Sequence, residues 1–238
     1  MSAFNRVENL IGKENLLRLS ASKVAIFGVG GVGGFVIEAL VRSGIGEVAI
    51  FDGDIVDKTN LNRQIIATEN TIGRDKVEVV KERLLSINKD LKIHTKKVFY
   101  LPENADEIDL NGYDYIIDAV DTVSAKIEII SRAKALNIPV ISCMGTGGKL
   151  EIEKLKVADI SKTEGCPLAR VMRRELKKRN IEKVKVVYSV EGVKNQEKVV
   201  SENGKTVPAS MIFVPAVAGL YIAREVVMDL IEGFCHKL

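Results

Sequence analysis

The sequence predicts an α/β protein built on a doubly wound, mainly parallel sheet, with helices on both faces and antiparallel additions near the C-terminus. Three observations predict it. Strand-like and helix-like stretches alternate over the first 150 residues. A glycine-rich turn, Gly28-Val29-Gly30-Gly31-Val32-Gly33, joins the first of those strands to a helix. Strands separated by helical stretches pair in parallel, because a parallel pair needs a long crossover and that crossover is right-handed.

Each element follows from its pattern. Lys23–Phe27 (KVAIF) is a short apolar run, the mark of a buried strand. Residues 35–43 (FVIEALVRS) place Val36, Leu40 and Val41 on one helical side and stop at Gly44. Residues 47–51 (EVAIF) give the second strand. In Lys76–Ile87, Val77, Val80, Leu84 and Ile87 recur at spacings of three and four, an amphipathic helix. Residues 92–99 give a third strand, and 114–117 (DYII) a short buried one ending in Asp118. A helix over 125–136 and a strand over 139–143 (PVISC) follow. Beyond Thr146 the rhythm changes. Residues 149–160 read as an exposed or antiparallel pair of strands, 168–179 as a basic helix and 184–189 (VKVVYS) as a strand. Residues 192–208 are polar and turn-rich, a candidate mobile loop. A last helix over 217–234 places Val217, Leu220, Val227, Ile231 and Phe234 on one face.

The chain has 238 residues, 46% hydrophobic and 28% charged, which sets aside the disordered and fibrous classes. Its net charge of +3 neither requires nor excludes a nucleic-acid partner. Three cysteines (Cys143, Cys166, Cys235) and two histidines (His94, His236) make no disulfide framework and no metal-ligand spacing, so no zinc site is expected. Residues 1–20 lack an apolar signal core. The longest apolar run, 211–223, contains Pro215 and falls short of the ~20 residues that span a bilayer. These features predict a soluble, reduced, cytoplasmic protein with no membrane partner.

Gly28, Gly30 and Gly33 fit G-x-G-x-x-G, and Gly31 adds a further glycine, after a strand and opening a helix. Glycines allow the tight turn and the close approach of phosphates to a helix N-terminus, the Rossmann-like arrangement. Asp52 ends the second strand 19 residues after Gly33, where a carboxylate accepts ribose hydroxyls. The spacing supports a bound nucleotide and leaves its identity open. Next comes a polar run containing Asp54, Asn60, Asn62, Arg63 and Gln64, and Lys76 opens the following helix. A nicotinamide cofactor needs an apolar slot and a separate substrate domain. A triphosphate needs cations against the charge that grows on its leaving oxygen. Arg63 offers a fork for two phosphate oxygens and Lys76 a point charge. Asp118-Ala119-Val120-Asp121 follows a strand's C-terminal end, where open α/β sheets bind ligands. An acid there either holds Mg²⁺ or caps the helix near Ala125, and spacing does not choose. Without a repeat or linker, residues 1–238 are expected to form one domain, with a nucleotide-binding core over about 20–145 and a substrate-side part over about 146–238.

In order and spacing, GVGGVGG, D-x-D-x-V-x-x-x-N-x-N-R-Q, IGxxK and DAVD resemble the E1-like (ThiF-type) enzymes that adenylate carboxylates with ATP. The resemblance implies ATP and Mg²⁺. It puts Asp52 on the ribose, Asn60, Arg63 and Lys76 on the phosphates and Asp121 on the magnesium; Asp54, Asn62, Gln64 and the glycines complete the nucleotide set. Arg6 (FNRVENLIG) matches an arginine that in this family reaches into the partner subunit's site, which implies a homodimer with Arg6 acting in trans. Arg63, Lys76, Asp121 and Arg6 are the expected catalytic residues.

The C-terminal half carries a narrower resemblance. The runs MGTGGK (144–149), Asp159-Ile160 with Lys162-Thr163, Pro167-Leu168-Ala169 before a basic helix, and VYSVE (187–191) resemble the tRNA threonylcarbamoyladenosine dehydratase branch. It implies a substrate, tRNA bearing threonylcarbamoyladenosine (t6A), whose carboxylate is activated as an acyl-adenylate and cyclises with net loss of water. A sulfur-relay protein is a further candidate partner. Arg170, Arg173, Arg174, Lys177, Lys178 and Arg179 either neutralise RNA phosphates or form the wet face of a helix whose apolar side is Leu168, Val171, Met172 and Leu176. Among aromatic residues, Tyr188 and Tyr100 are the candidates for base stacking.

Three rivals fit part of the pattern. Activation of a sulfur-carrier protein's C-terminus uses the same adenylation, usually with zinc-binding Cys-x-x-Cys pairs or a catalytic cysteine. Cys166 (EGCPLA) is the thiol placed for that role, with no histidine or cation pattern to activate it; Cys143 reads as core. A nicotinamide-dependent oxidoreductase leaves the 60–64 run and Lys76 unexplained. A non-catalytic nucleotide sensor binds ATP without releasing AMP.

Overall fold

The computed structural model describes residues 3–192, 199–200, 206–207 and 209–232. Two short helices that the pattern did not announce, α1 (Asn5–Ile11) and α2 (Lys13–Ala21), precede the sheet. The chain then alternates as expected: β1 (Lys23–Phe27), α3 (Gly33–Arg42), β2 (Glu47–Asp52), α4 (Lys76–Ile87), β3 (Lys92–Lys97), β4 (Tyr115–Asp118), α5 (Val123–Ala135) and β5 (Val140–Cys143). After these come β6 (Leu155–Asp159), α6 (Pro167–Lys178), β7 (Lys185–Ser189), the two-residue strands β8 (Val199–Val200) and β9 (Thr206–Val207), and α7 (Phe213–Glu232).

One sheet of seven strands runs β3-β2-β1-β4-β5-β7-β6, parallel throughout except where β6 meets β7. The chain leaves β1 toward β2 and β3, then crosses back to β4 and β5. Strand order therefore reverses between β1 and β4, and the crevice beyond their C-terminal ends is where such sheets take ligands. Side chains alternate across β1. Val24 and Ile26 pack under α3, α4 and α7, while Ala25 and Phe27 pack under α5 and α6. Burial on both faces is why the central strands read as unbroken apolar runs.

Several expectations need correction. Residues 149–160 hold one strand, β6, paired with β7 rather than with a neighbour in sequence; 152–154 is a single 3₁₀ turn. The third strand stops at Lys97 instead of 99, and the chain turns so that Val98, Phe99 and Tyr100 line a cavity. The last helix starts earlier and buries a different side. Val214, Ala218, Ile222 and Val226 face the core, whereas Leu220 is half exposed and Val217, Val227 and Ile231 are only partly covered. The reason is steric. Small residues let α7 approach α3 so closely that a Cβ on Gly219 would lie 2.7 Å from the Val32 carbonyl oxygen. Phe234, Cys235 and His236 lie outside the described residues, as does most of the 192–208 loop. Among the described residues, no helix is long and apolar enough to cross a membrane.

Candidate nucleotide-binding and active site

The glycine turn is built for a ligand at two positions and for packing at two others. Gly28 has φ +87°, and a Cβ there would lie 2.8 Å from the Ala119 carbonyl oxygen. A Cβ on Gly33 would lie 1.9 Å from the Gly28 oxygen, so this glycine lets α3 start against the turn. Gly30 and Gly31 are different: their nearest neighbours are side-chain atoms at 3.7 Å and 3.5 Å, on Gln64 and on Arg63 and Pro215. Among the described residues, the N–H groups of Gly30, Gly31 and Val32 have no hydrogen-bond acceptor. They are the free donors of a helix start, the feature that attracts phosphate.

These residues open onto a cavity of about 690 Å³. Asp52 sits at its floor. One carboxylate oxygen accepts the Val29 N–H at 2.7 Å and the other the Asp54 N–H at 2.8 Å, tying β2 to the glycine turn. Burial raises the Asp52 pKa, opposed by nearby Lys76 and by those two N–H groups. Lys76 opens α4 almost wholly buried, with Nζ 2.6 Å from Asp54 Oδ2. Asn60, in the short turn after β2, accepts the Asp57 N–H at 3.2 Å through Oδ1. Arg63 donates to the Thr59 carbonyl at 2.9 Å and to Asn62 Oδ1 at 3.0 Å. Gln64 is buried, and among the described residues its Oε1 has no partner.

Asp118 and Asp121 separate here. Asp118 is wholly buried and bound to Lys126 and Ser142. Asp121 is exposed, lines the cavity, and makes no hydrogen bond or ion pair among the described residues. Thr122, not Asp121, occupies the N-cap of α5, and no side chain caps that helix. Capping therefore does not account for Asp121.

Of the expected site residues, Gly28, Gly30, Gly31, Asp52, Asp54, Asn60, Arg63, Gln64, Lys76 and Asp121 meet in this one cavity. Gly33 lies behind it. Asn62 lies outside, and its Nδ2 donates to the Ser210 carbonyl at 2.8 Å, anchoring the segment before α7. Arg6 is exposed on α1 and does not line the cavity of its own chain. Sequence reasoning missed the far walls. Phe99, at the mouth, covers Gly53 so closely that a Cβ there would sit 2.6 Å from the ring. Behind it Phe27 stacks on Phe51 at 4.7 Å between centroids, with Tyr100 tilted against Phe27. Gly145, Thr146 and Gly147 form the lip beyond β5, Leu168 comes from α6, and Ser210 from the segment before α7. The exposed Phe99 beside Gly53 left no periodic signal; the glycines after Cys143 did.

Both cysteines among the described residues are buried and unbridged. Burial pushes the Cys143 thiol up to about 12. Cys166 lines a separate cavity. Among the described residues, no cluster of three or more His, Cys, Asp or Glu side chains forms a metal cage.

A doubly wound sheet with a glycine turn, an acid at the end of β2 and cations beyond it defines a nucleotide-binding α/β protein. The chain belongs to the ThiF family, whose model matches residues 4–234. It is 42% identical over 240 aligned residues to the tRNA threonylcarbamoyladenosine dehydratase of Bacillus subtilis, covering 96% of this chain and 94% of that one. The Haemophilus influenzae protein of the same name is 40% identical over 74% of this chain and 67% of its own. Among solved structures, E. coli tRNA N6-threonylcarbamoyladenosine dehydratase in complex with ATP superposes with a TM-score of 0.88 at 29% identity, over 99% of this chain and 96% of that one.

Proposed function

We propose that this chain adenylates a carboxylate with ATP, and that the carboxylate belongs to the threonylcarbamoyl group of t6A in tRNA. One observation carries the reading: free turn amides, Asp52, Lys76 and the open Asp121 converge on a single cavity. The full-length likeness to a t6A dehydratase supports the substrate.

In this reading Asp52 accepts the ribose hydroxyls, and Phe99 and Leu101 border the base. The Gly30, Gly31 and Val32 amides hold phosphate oxygens, with Asn60, Arg63 and Gln64 beside them. Asp54 keeps the Lys76 ammonium in place until phosphate competes for it. Magnesium fits the donor set, since Mg²⁺ is usually held by one or two carboxylates plus phosphate oxygens. Asp121 is such a carboxylate, and the ion when bound offsets phosphate charge.

A substrate carboxylate oxygen bonds to the α-phosphorus as the bond from that phosphorus to pyrophosphate breaks. The charge that grows on the leaving group meets Arg63 and Lys76, and Arg6 from the second copy of a homodimer. The activated carbonyl is then attacked from within the same threonylcarbamoyl group, so a ring closes and AMP departs. The net change is loss of one water, and no enzyme thiol takes part. Catalysis is positioning and charge stabilisation. The reaction belongs in the cytoplasm, with tRNA.

A second reading has a specific observation behind it. The Candida glabrata adenylyltransferase and sulfurtransferase UBA4 is 35% identical over 160 residues, though that match spans only 37% of the relative. Pyrophosphate exchange into ATP separates the two. Exchange that requires t6A-bearing tRNA supports the proposal, and exchange that requires a protein ending in Gly-Gly overturns its substrate. Arg63→Ala and Asp121→Ala are expected to abolish turnover with the fold intact; full activity in either removes that residue from the mechanism.

A further inference from the structure

We infer that the RNA docks along α6, whose first turn separates the nucleotide cavity from a second, basic one. This rests on the RNA-substrate reading above and gives it a place on the molecule. The second cavity, about 920 Å³, is lined by Arg170, Arg173, Arg174 and Lys177, with Glu164 its single acidic lining residue. Leu168 lines the nucleotide cavity, while Pro167 and Arg170 line the basic one. At about 1.5 Å rise per residue, the cations begin within one turn of the nucleotide cavity and extend about 10 Å along the helix. That is too many charges over too long a path for one small anion, and it suits consecutive phosphates of a strand.

The groove is also preorganised. Ala169, Met172 and Leu176 anchor α6 in the core. The Arg173 guanidinium is fixed by hydrogen bonds to the Thr163 carbonyl at 2.5 Å and hydroxyl at 2.7 Å. Arg170 and Lys177 make no side-chain hydrogen bond or ion pair among the described residues, so phosphate displaces no acid to reach them. Direction agrees as well. Asp52 ends β2 and the lip of Gly145, Thr146 and Gly147 follows β5, on opposite sides of the β1–β4 crevice. With ribose on the β2 side, the attacking carboxylate enters from the β5 and α6 side, where the groove lies.

The test is Arg170→Ala with Lys177→Ala in the full chain. Both positions are exposed, so melting temperature and ATP binding are expected to match the wild type. The salt dependence of t6A-tRNA binding is read without turnover. Each phosphate contact contributes about 0.7–0.9 to the log–log slope, so the double variant is expected to lose about 1.5. In turnover, KM for the tRNA is expected to rise about tenfold or more with kcat within twofold. An unchanged slope and KM overturn the inference. If the wild type does not cyclise the tRNA, the functional reading falls, and the binding slope still decides the groove.

Discussion

Lys126 Nζ lies 2.9 Å from Asp118 Oδ2, and neither side chain reaches solvent. Ser142 Oγ donates to the same oxygen at 2.5 Å, and Asp118 Oδ1 accepts the Val120 N–H at 3.2 Å. The pair ties the ends of β4 and β5 to α5, and it holds the turn that presents Asp121 to the cavity. Lys126→Met strands a buried carboxylate, which costs about 3–5 kcal/mol. Urea unfolding is expected to show that loss, and Lys126→Met combined with Asp118→Asn is expected to recover much of it. A loss below about 1 kcal/mol in the single variant would contradict the account.

The glycines predict opposite phenotypes. Gly33→Ala puts a Cβ 1.9 Å from a carbonyl oxygen and is expected to lower the melting temperature or prevent folding. Gly30→Ala meets nothing closer than 3.7 Å, so the fold should survive while the methyl occupies ligand space. Calorimetry of ATP binding is expected to show at least tenfold weaker affinity in Gly30→Ala at an unchanged melting temperature. Wild-type affinity would place the phosphates elsewhere.

In the proposed mechanism the Lys76–Asp54 contact keeps Lys76 as a charge ready for the leaving group. Loss of a donor aimed at transition-state charge costs about 10²–10³ in kcat. Single-turnover AMP release is expected to fall by that factor in Lys76→Ala. A mere rise in KM for ATP would assign Lys76 to ground-state binding instead.

Asp52 gives a pH signature. Its burial raises its pKa above the ordinary aspartate value. Its contribution to stability is therefore present below the unfolded pKa and is lost as pH rises through the folded one. In the proposed binding mode ATP affinity runs the opposite way, because the ionised carboxylate is the better acceptor for ribose hydroxyls. Affinity is expected to weaken as pH falls through the raised value, and Asp52→Asn should abolish that step. The same step in the variant would point to another group.

Thiol-independent chemistry predicts that Cys166→Ala retains turnover within about threefold, since Cys166 is buried away from the nucleotide cavity. Peptide mapping after iodoacetamide treatment at pH 8 should leave Cys143 unlabelled, as its thiol is buried and held up to about 12. A covalent substrate adduct on either cysteine would favour the sulfur-carrier route.

The sequence made the central strands legible because burial on both faces leaves continuous apolar runs, as in KVAIF and EVAIF. The bounds of Lys76–Ile87 were legible to the residue, as Val77, Val80, Leu84 and Ile87 recur on one stripe. Ten of the expected nucleotide residues converge because they sit at or beyond the C-terminal ends of β1, β2 and β4, in the turns and helix start that follow them, where topology rather than packing detail places them. Other features depend on tertiary contacts. Helix α7 is apolar almost all round, so periodicity could not choose the side that small residues press against α3. Helices α1 and α2 bury only Leu19 between them and left no stripe to detect. Nothing in DAVD tells a buried Asp118 from an open Asp121; Lys126, eight residues on, decides it. Asn60 is buried against the cavity, whereas Asn62, two residues on, is exposed and bonds the Ser210 carbonyl, a difference the N-x-N spacing does not carry.

The central claim is that ATP is spent on a carboxylate carried by tRNA. Its most direct test is incubation of the protein with ATP, Mg²⁺ and t6A-bearing tRNA, followed by digestion and mass spectrometry of the nucleosides. The account predicts that t6A loses one water, with AMP formed one for one. An unchanged nucleoside, from protein that supports pyrophosphate exchange with another carboxylate, would contradict it.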